Sequence, residues 1–392
     1  MEAVGATVGP AESAPARLRA ARRVTAVTFA LNGFVFGSWA PRIPEVQRAL
    51  GLSEAELGVA LLGVAVGALA AMPLTGPLAE RLGSRLVTVG AAVGLGATLL
   101  LLPAAAGQLQ LGLALLLFGA AAGALDVAMN VQGSFVERRL GRPIMSGLHG
   151  MFSLGGMAGA VAAGAIAAAG VPLLAHFAVV ALLTVAVAAW AARHMLPGDA
   201  AVGPRGAAFA MPPRALLPLG LMAFTVLLGE GAMADWSAVY LTNSLGAGPA
   251  TAAAGFAAFS LAMAAGRFAG DWLTARFGPV RLLRAGAILA ALGLAGGLAV
   301  GVPWAAVLGF GLVGAGLSCL FPVLIGVSTR VEGVAPGHAI AGIATLGYLG
   351  FLVGPPGIGV LAEHLGLAGA LALVALLLLV NPVLAGRAAA RR

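Results

Sequence analysis

The chain has 392 residues, of which 60% are hydrophobic and only 9% are charged, and its formal net charge is +8. A soluble domain carries about 25% charged residues, so this composition excludes a soluble protein and indicates a polytopic membrane protein. The single cysteine, Cys319, excludes a disulfide framework and a cysteine-based metal cluster. We expect no metal and no cofactor.

The first 23 residues are rich in alanine, proline and arginine and predict a cytoplasmic tail, followed by an uncleaved first span. Hydrophobic runs of about 20 residues are long enough to cross a bilayer as helices. Twelve such runs occur, at approximately 24–44, 56–78, 85–105, 109–136, 143–169, 172–195, 215–243, 250–273, 281–301, 304–329, 338–362 and 367–386.

The arginines predict how these helices are oriented. If both termini are cytoplasmic, every arginine except Arg42 and Arg48 falls on the cytoplasmic side, Arg267 included. An excess of basic residues in cytoplasmic loops is the general rule for such proteins. We therefore predict a multi-pass protein of a bacterial inner membrane with both termini in the cytoplasm.

The two halves of the chain resemble each other at an offset near 195 residues. The pairs of similar segments are "GPLAERLGSR" (76–85) with "DWLTARFGPVR" (271–281), "GSWAP" (37–41) with "ADWSA" (234–238), and "FGAAAGALD" (118–126) with "FGLVGAGLS" (310–318). Duplicated halves are typical of transporters whose site lies at the midplane between them. The predicted fold is an all-α membrane protein with two pseudo-symmetric six-helix bundles, 24–195 and 215–386, a central cytoplasmic loop 196–214 and a cytoplasmic tail 387–392.

The segment "GPLAERLGSR" resembles the signature loop between spans 2 and 3 of the major facilitator superfamily. Glu80 replaces the aspartate of the usual pattern. In that family the loop stabilises one end state because its charges meet helix ends. The matching residues are Gly76, Glu80, Arg81, Gly83 and Arg85, and the degenerate second copy has Gly270, Asp271, Arg276 and Gly278.

A finer resemblance joins "ALDVAMNVQG" and "SGLHGMFSLGGMAGA" to spans 4 and 5 of fucose-permease-like sugar/proton symporters. Asp126 and Asn130 match the acid and the amide of span 4, whereas Asn32-Gly33 replaces the second acid of span 1. The stretch "GSWAPRIPEVQRALGLSEAELG" is similar to a bacterial branch named for a rhizopine-associated membrane protein. The resemblance implies proton-coupled symport of a sugar, polyol or amino-polyol.

Span 4 contains an acidic residue, Asp126, within a segment that is otherwise apolar enough to lie in lipid. Gly119, Gly123, Asp126, Asn130 and Gly133 recur at spacings that put them on one helical face. Asp126 lies about 16 Å from the cytoplasmic end of the span, close to the midplane. Ionisable residues at this depth usually serve function, which predicts a proton-coupling or substrate role. The alternative is a structural acid bonded to a neighbouring helix.

Span 7 carries two further acids, Glu230 and Asp235. Glu230 is a second candidate for proton coupling, or an acid near the outer interface. Arg42 lies at the outer end of span 1, the repeat partner of span 7, and we predict a gate in which it pairs with Asp235 or Glu230. An interfacial anchor is the alternative for Arg42.

Polar and aromatic side chains within or near the ends of several predicted spans indicate the substrate site. Packing is the alternative for His149, and tryptophans near span ends also form aromatic belts. The predicted substrate-binding residues are Asn32, Trp39, Asn130, His149, Trp236 and Tyr348.

Three functions compete: a symporter for a small polar solute, an efflux antiporter, and a membrane sensor or enzyme. Antiporters of this superfamily usually have an arginine within span 4 and a Gly-Pro signature in span 5, and this sequence has neither. No H-E-x-x-H motif favours an enzyme. We predict a monomeric symporter whose partners are a small solute, protons and the bilayer, with no nucleic acid.

Overall fold

The computed structural model describes residues 14–197 and 210–389. Within these ranges the chain is helical apart from short connections and contains no strand. Part of the predicted central loop and the extreme ends lie outside the described residues.

The first half contains six long helices. A 3-10 turn, Ala40–Arg42, and a short helix, Ile43–Leu50, connect the first two, and a second 3-10 turn, Leu102–Ala104, follows the third. The helices are span 1, Ala14–Trp39; span 2, Glu54–Leu82; span 3, Ser84–Leu99; span 4, Gln108–Leu140; span 5, Met145–Ala168; and span 6, Leu173–His194.

The second half repeats the pattern. Spans 11 and 12 form one run, Pro336–Leu378, which Gly366 interrupts with a φ of 70°, and Val380–Ala389 follows it. The preceding helices are span 7, Leu217–Val239, ending in a π-turn, Tyr240–Ser244; span 8, Pro249–Phe277; span 9, Pro279–Val300; and span 10, Pro303–Leu317 continued by Leu320–Ser328.

Ten helices in the described ranges are long and apolar enough to cross a membrane. This number agrees with twelve spans because one of the ten, Pro336–Ala385, holds both span 11 and span 12. Span 1 is missing from the ten because its helix ends at Trp39, so that every stretch of spanning length within it includes Arg22 and Arg23. The predicted twelve-helix architecture is confirmed.

The packing of the helices is the same in the two halves. Span 1 packs on span 5, span 2 on span 4 and span 3 on span 6, and the equivalent pairs in the second half are spans 7 and 11, 8 and 10, and 9 and 12. Spans 5 and 8 join the halves on one side, and spans 2 and 11 join them on the other. This arrangement confirms two pseudo-symmetric six-helix bundles.

Glycines allow close approach of helices within the first half. A Cβ atom on Gly33 of span 1 would overlap the carbonyl of Phe152, and one on Gly155 of span 5 would overlap the carbonyl of Ala30. Small residues let membrane helices pack through their backbones, where van der Waals contact replaces the missing hydrophobic driving force. Spans 1 and 5 therefore form one rigid pair.

The two signature loops have the same backbone conformation. Gly83, between spans 2 and 3, has φ 83° and ψ 140°, and Gly278, between spans 8 and 9, has φ 77° and ψ 159°. Only glycine adopts such angles without strain. The two positions differ by 195 residues (278 − 83), the offset of the sequence repeat.

We expect Gly83→Ala to lower the free energy of unfolding by about 1–3 kcal/mol, because alanine is strained at this φ. Thermal unfolding of the purified protein in detergent measures the change. The matched control is Gly90→Ala in span 3, where a Cβ atom meets no other atom within 4 Å. Equal melting temperatures for Gly83→Ala and the native protein would contradict this explanation.

The halves meet closely at one end of the molecule. We call the end that holds the starts of spans 1 and 5 and the signature loops the arginine-rich end, and the other the opposite end. At the opposite end Asn243 Nδ2 donates to Gln47 Oε1 at 3.0 Å, and Ser53 Oγ donates to Glu363 Oε1 at 2.6 Å, both across the halves. The opposite end is therefore closed.

The charges of the first signature loop take no part in joining the halves. Glu80 and Arg81 are exposed and Arg85 is half-buried, and none of the three bonds or pairs with a residue in the described ranges. The stabilising contacts that the family resemblance implies are thus not formed at the arginine-rich end in this conformation.

Candidate functional site

A cluster of polar side chains lies inside the molecule where spans 4, 5, 7, 8 and 11 meet. Arg267 of span 8 is its centre: Nη1 donates to Ser153 Oγ at 2.8 Å, and Nη2 lies 3.5 Å from Glu230 Oε2. The arginine and glutamate side chains are only 15% and 16% exposed. Arg267 thus pairs with span 7 and also bonds across to the other half.

The placement of Arg267 at the cytoplasmic surface was wrong. Span 8 continues to Phe277, so Arg267 lies about 15 Å along the helix from its end. The signal was present in the sequence, because Arg267 already fell inside the predicted span 250–273. Counting arginines by loop missed it, since that count does not consider how deep in a helix a residue lies.

Asp126 and Asn130 of span 4 face the same region. Asn130 Nδ2 donates to the main-chain oxygen of Asp126 at 2.8 Å and to its Oδ1 at 3.2 Å. Both side chains are half-buried, and Arg267 and Tyr348 lie within electrostatic range of the Asp126 carboxylate. The amide of Asn130 is thus the hydrogen-bond donor to Asp126.

Three other predicted substrate-binding residues lie around this cluster. His149 is half-buried and meets the ring of Phe29 edge-on, with centroids 5.2 Å apart. Tyr348 is half-buried beside Phe351. Asn32 is buried, and its Oδ1 has no hydrogen-bond partner among the described residues. Unused acceptor capacity at Asn32 is suited to a hydroxyl or amino group.

The two tryptophans of the predicted site do not reach the cluster in this conformation. Trp39 is buried with its ring 6.3 Å from that of Phe177 in span 6. Trp236 is fully buried, and its indole N–H has no partner in the part of the chain that the structure describes. Closure of the opposite end covers both rings, so their contact with substrate stays a prediction for another state.

Arg42 forms a different pair from the one predicted. It is only 1% exposed, its Nη2 lies 2.8 Å from Glu45 Oε2, and the same nitrogen donates to the carbonyl of Val171 at 3.1 Å. Glu45 is three residues on, within reach of a local pair because the chain continues as helix after the 3-10 turn. The predicted gate with Asp235 or Glu230 is therefore wrong for this closed end.

Glu230 pairs with Arg267 instead, and Asp235 has no hydrogen-bond or ion-pair partner among the described residues. The hydrogen bond between Gln47, in the short helix after span 1, and Asn243, in the π-turn after span 7, joins the two halves at this end. No cluster of three histidine, cysteine or acidic side chains within residues 14–197 and 210–389 could hold a metal ion.

The family model of the Major Facilitator Superfamily matches residues 25–236 and 219–391, two overlapping matches that together cover both halves. The chain belongs to the major facilitator superfamily. An uncharacterized MFS-type transporter of Yersinia pestis is 38% identical over 356 residues, covering 91% of this chain and 92% of that protein. Membrane protein MosC of Rhizobium meliloti is 34% identical over 354 residues, covering 89% and 86%.

Solved structures of the superfamily share the fold at low identity. The nucleoside transporter NupG matches with a TM-score of 0.72 and 13% identity over 94% of this chain and 98% of that one. The fucose:proton symporter FucP of E. coli matches with a TM-score of 0.62 and 18% identity over the same shares. The predicted resemblance to the superfamily is confirmed, and so is the resemblance to the branch that contains MosC. As a superfamily member, the protein is a membrane transporter of small molecules.

Proposed function

We propose that the protein is a proton-coupled symporter that moves a small polar solute across a bacterial inner membrane by alternating access. The observation that carries the proposal is the polar cluster between the halves. It combines an acid held by an amide, Asp126 with Asn130, and an arginine that bonds to both halves, Arg267. The cluster binds solute and protons and performs no enzymatic reaction. Each chain holds both halves and works as a monomer.

The arginine-rich end faces the cytoplasm in this proposal. Basic residues concentrate there even after Arg267 is moved into the protein interior, as expected for cytoplasmic loops. Both termini then lie in the cytoplasm, and the closed opposite end faces outward. The conformation is inward-facing, which agrees with signature-loop charges that make no contact.

Asp126 is the proton-coupling residue. Its carboxylate is bonded to an amide rather than to a cation, so it alternates between charged and neutral forms without breaking an ion pair. Glu230 is the second candidate for proton coupling. It ranks behind Asp126 because protonation of Glu230 would leave Arg267 as a buried charge without its counter-ion. Intramembrane acids of transporters commonly form proton relays.

The solute is a sugar, polyol or amino-polyol. Asn130, Tyr348 and the free oxygen of Asn32 offer donors and acceptors around the half-buried Asp126. A site of this kind suits a molecule with several hydroxyl groups, since each buried polar group needs a partner. Fucose and nucleosides, which two of the structural neighbours transport, are both rich in hydroxyl groups.

We expect Asp126→Asn to abolish proton-driven accumulation and to preserve counterflow at equal pH, because asparagine keeps size and hydrogen bonding but cannot ionise. Proteoliposomes with a pH dye in the lumen are tested with radiolabelled L-fucose, myo-inositol and glucosamine. Symport acidifies the lumen as solute enters. The control is Glu332→Gln, an exposed acid outside the spans.

Each result separates the possibilities. Solute movement that makes the lumen alkaline would indicate an efflux antiporter, and accumulation that persists in Asp126→Asn would move proton coupling to Glu230. Loss of counterflow together with accumulation would mean that the Asp126 carboxylate is needed for binding or for folding, and thermal unfolding of the variant separates these two.

A further inference from the structure

A groove at the arginine-rich end lies outside the polar cluster. It is a cavity of about 560 Å³ between the start of span 1, the start of span 5 and Phe268 of span 8. Four arginines line it, together with an apolar floor that includes Met151 and Phe268. The arginines are Arg19, Arg22, Arg23 and Arg142.

The groove opens toward lipid rather than toward the polar cluster. Phe268 is 52% exposed, and Leu261 and Trp272, two turns before and one turn after it on the same helical face, are 50% and 63% exposed. Arg267, the neighbour of Phe268, points the other way into the polar cluster. Large apolar side chains that are exposed along one face of a spanning helix face the bilayer.

The positive charge of the groove is not neutralised within the described part of the protein. All four arginines are exposed, and none forms an ion pair with a described residue. Glu137, the acid nearest to Arg142 in sequence, instead accepts hydrogen bonds from the N–H groups of Ile144 and Met145 at the start of span 5. Within residues 14–197 and 210–389 these four arginines therefore have no anionic partner.

We propose that this groove binds one anionic phospholipid of the cytoplasmic leaflet, with its phosphate on the arginines and an acyl chain along Met151 and Phe268. Guanidinium groups bind phosphate through paired hydrogen bonds, and basic residues near the cytoplasmic surface attract anionic lipids. The apolar floor and the opening toward the bilayer favour a lipid over free phosphate. The leaflet rests on the orientation in the proposed function, whereas the binding itself does not.

Native mass spectrometry of the purified full chain tests the proposal with phosphatidylglycerol, phosphatidylcholine and inorganic phosphate as probes. We expect the first phosphatidylglycerol to bind at least roughly tenfold more tightly than phosphatidylcholine, and Arg22→Gln/Arg142→Gln to weaken it roughly 30-fold. The control Arg281→Gln/Arg330→Gln removes two exposed charges of the same end that do not line the groove. The control should bind like the native protein.

A second variant fills the groove and keeps every arginine. A Cβ atom at Gly147, which lines the groove, meets no other atom within 4 Å, so a side chain can begin there without a backbone clash, and the indole of Gly147→Trp is expected to occupy the groove. We expect it to remove the same bound phosphatidylglycerol, while the control Gly90→Trp, at an open position of span 3, leaves it bound. Thermal unfolding in lipid-free detergent verifies that each variant is folded.

Three outcomes would overturn the proposal. One is phosphatidylglycerol that stays bound with native affinity in folded Gly147→Trp. Another is equal binding of phosphatidylcholine, which would make the groove a general lipid contact. The third is displacement of phosphatidylglycerol by an equal concentration of inorganic phosphate, which would show that the phosphate alone is recognised. Neither transport direction nor proton coupling affects these results.

Discussion

Arg267→Gln is expected to abolish solute transport and to lower the free energy of unfolding by about 3–5 kcal/mol, because it leaves a buried carboxylate without its cation. Glu230 would lose its ion pair, and Ser153 of the other half would lose its charged donor. The protein is reconstituted for uptake and unfolded thermally in detergent. Arg281→Gln removes an exposed charge of the same end and should change neither measurement.

A double variant separates stability from transport. In Arg267→Gln/Glu230→Gln no charge is left unpaired, so most of the lost stability should return, whereas transport should stay absent because the connection between spans 8 and 5 is still weakened. If Arg267→Gln transports and unfolds like the native protein, the ion pair between Arg267 and Glu230 contributes little to stability or transport. If the double variant recovers transport, Arg267 serves only to neutralise Glu230.

Gly58→Leu is expected to hold the opposite end open. A Cβ atom at Gly58 of span 2 would overlap the carbonyl of Pro355 in span 11, and Gly359 of span 11 stands equally close to the carbonyl of Glu54. These contacts join the two halves and are required only when the opposite end closes. In Gly58→Leu each half can therefore still fold, but the two halves stay apart at the opposite end, and this stops the transport cycle.

Labelling of a buried serine measures this change. Ser237 of span 7 is fully buried in the closed end, so Ser237→Cys in a Cys319→Ser background reports opening to an impermeant maleimide. We expect Gly58→Leu to raise the labelling rate roughly tenfold or more, since overpacking costs about 1–3 kcal/mol. Unchanged labelling would show that spans 2 and 11 tolerate the side chain by a local shift.

Gly155→Leu is the contrasting control. It introduces the same side chain at a helix contact that is also too close for a Cβ atom, but that contact joins spans 1 and 5 within one half. This pair is packed in every state of the cycle, so the variant should fail to yield folded protein rather than change conformation. A folded Gly155→Leu with native labelling would contradict the view that each half moves as a unit.

The sequence predicted the twelve helices because lipid imposes a minimum length of apolar chain and a placement of charge, and both are visible residue by residue. It also predicted that Asp126 and Asn130 lie on one face, since that follows from helical spacing alone. The carboxylate and amide are bonded to each other in the structure. The role of the pair stays a prediction.

Contacts between helices were less predictable. Arg267 was assigned to the cytoplasmic side because the arginines were counted by loop, although Arg267 already fell within the predicted span 250–273, and span 8 continues to Phe277. Arg42 was given a distant partner, whereas the 3-10 turn after span 1 brings Glu45 within reach. Both errors concern the position of a residue relative to the end of its helix, which composition does not determine.

During synthesis, the first helix leaves the ribosome long before the helices that cover it. Arginines at its start and Asn32 within it make it too polar to be counted among the ten described helices that are apolar enough to cross a membrane. Its glycines pack against span 5, which is made more than a hundred residues later. Insertion of span 1 into the bilayer should therefore be inefficient when it is made alone and should be completed only after span 5 is available, so nascent chains truncated after Leu50, which contain span 1 but not span 2, should remain extractable by carbonate.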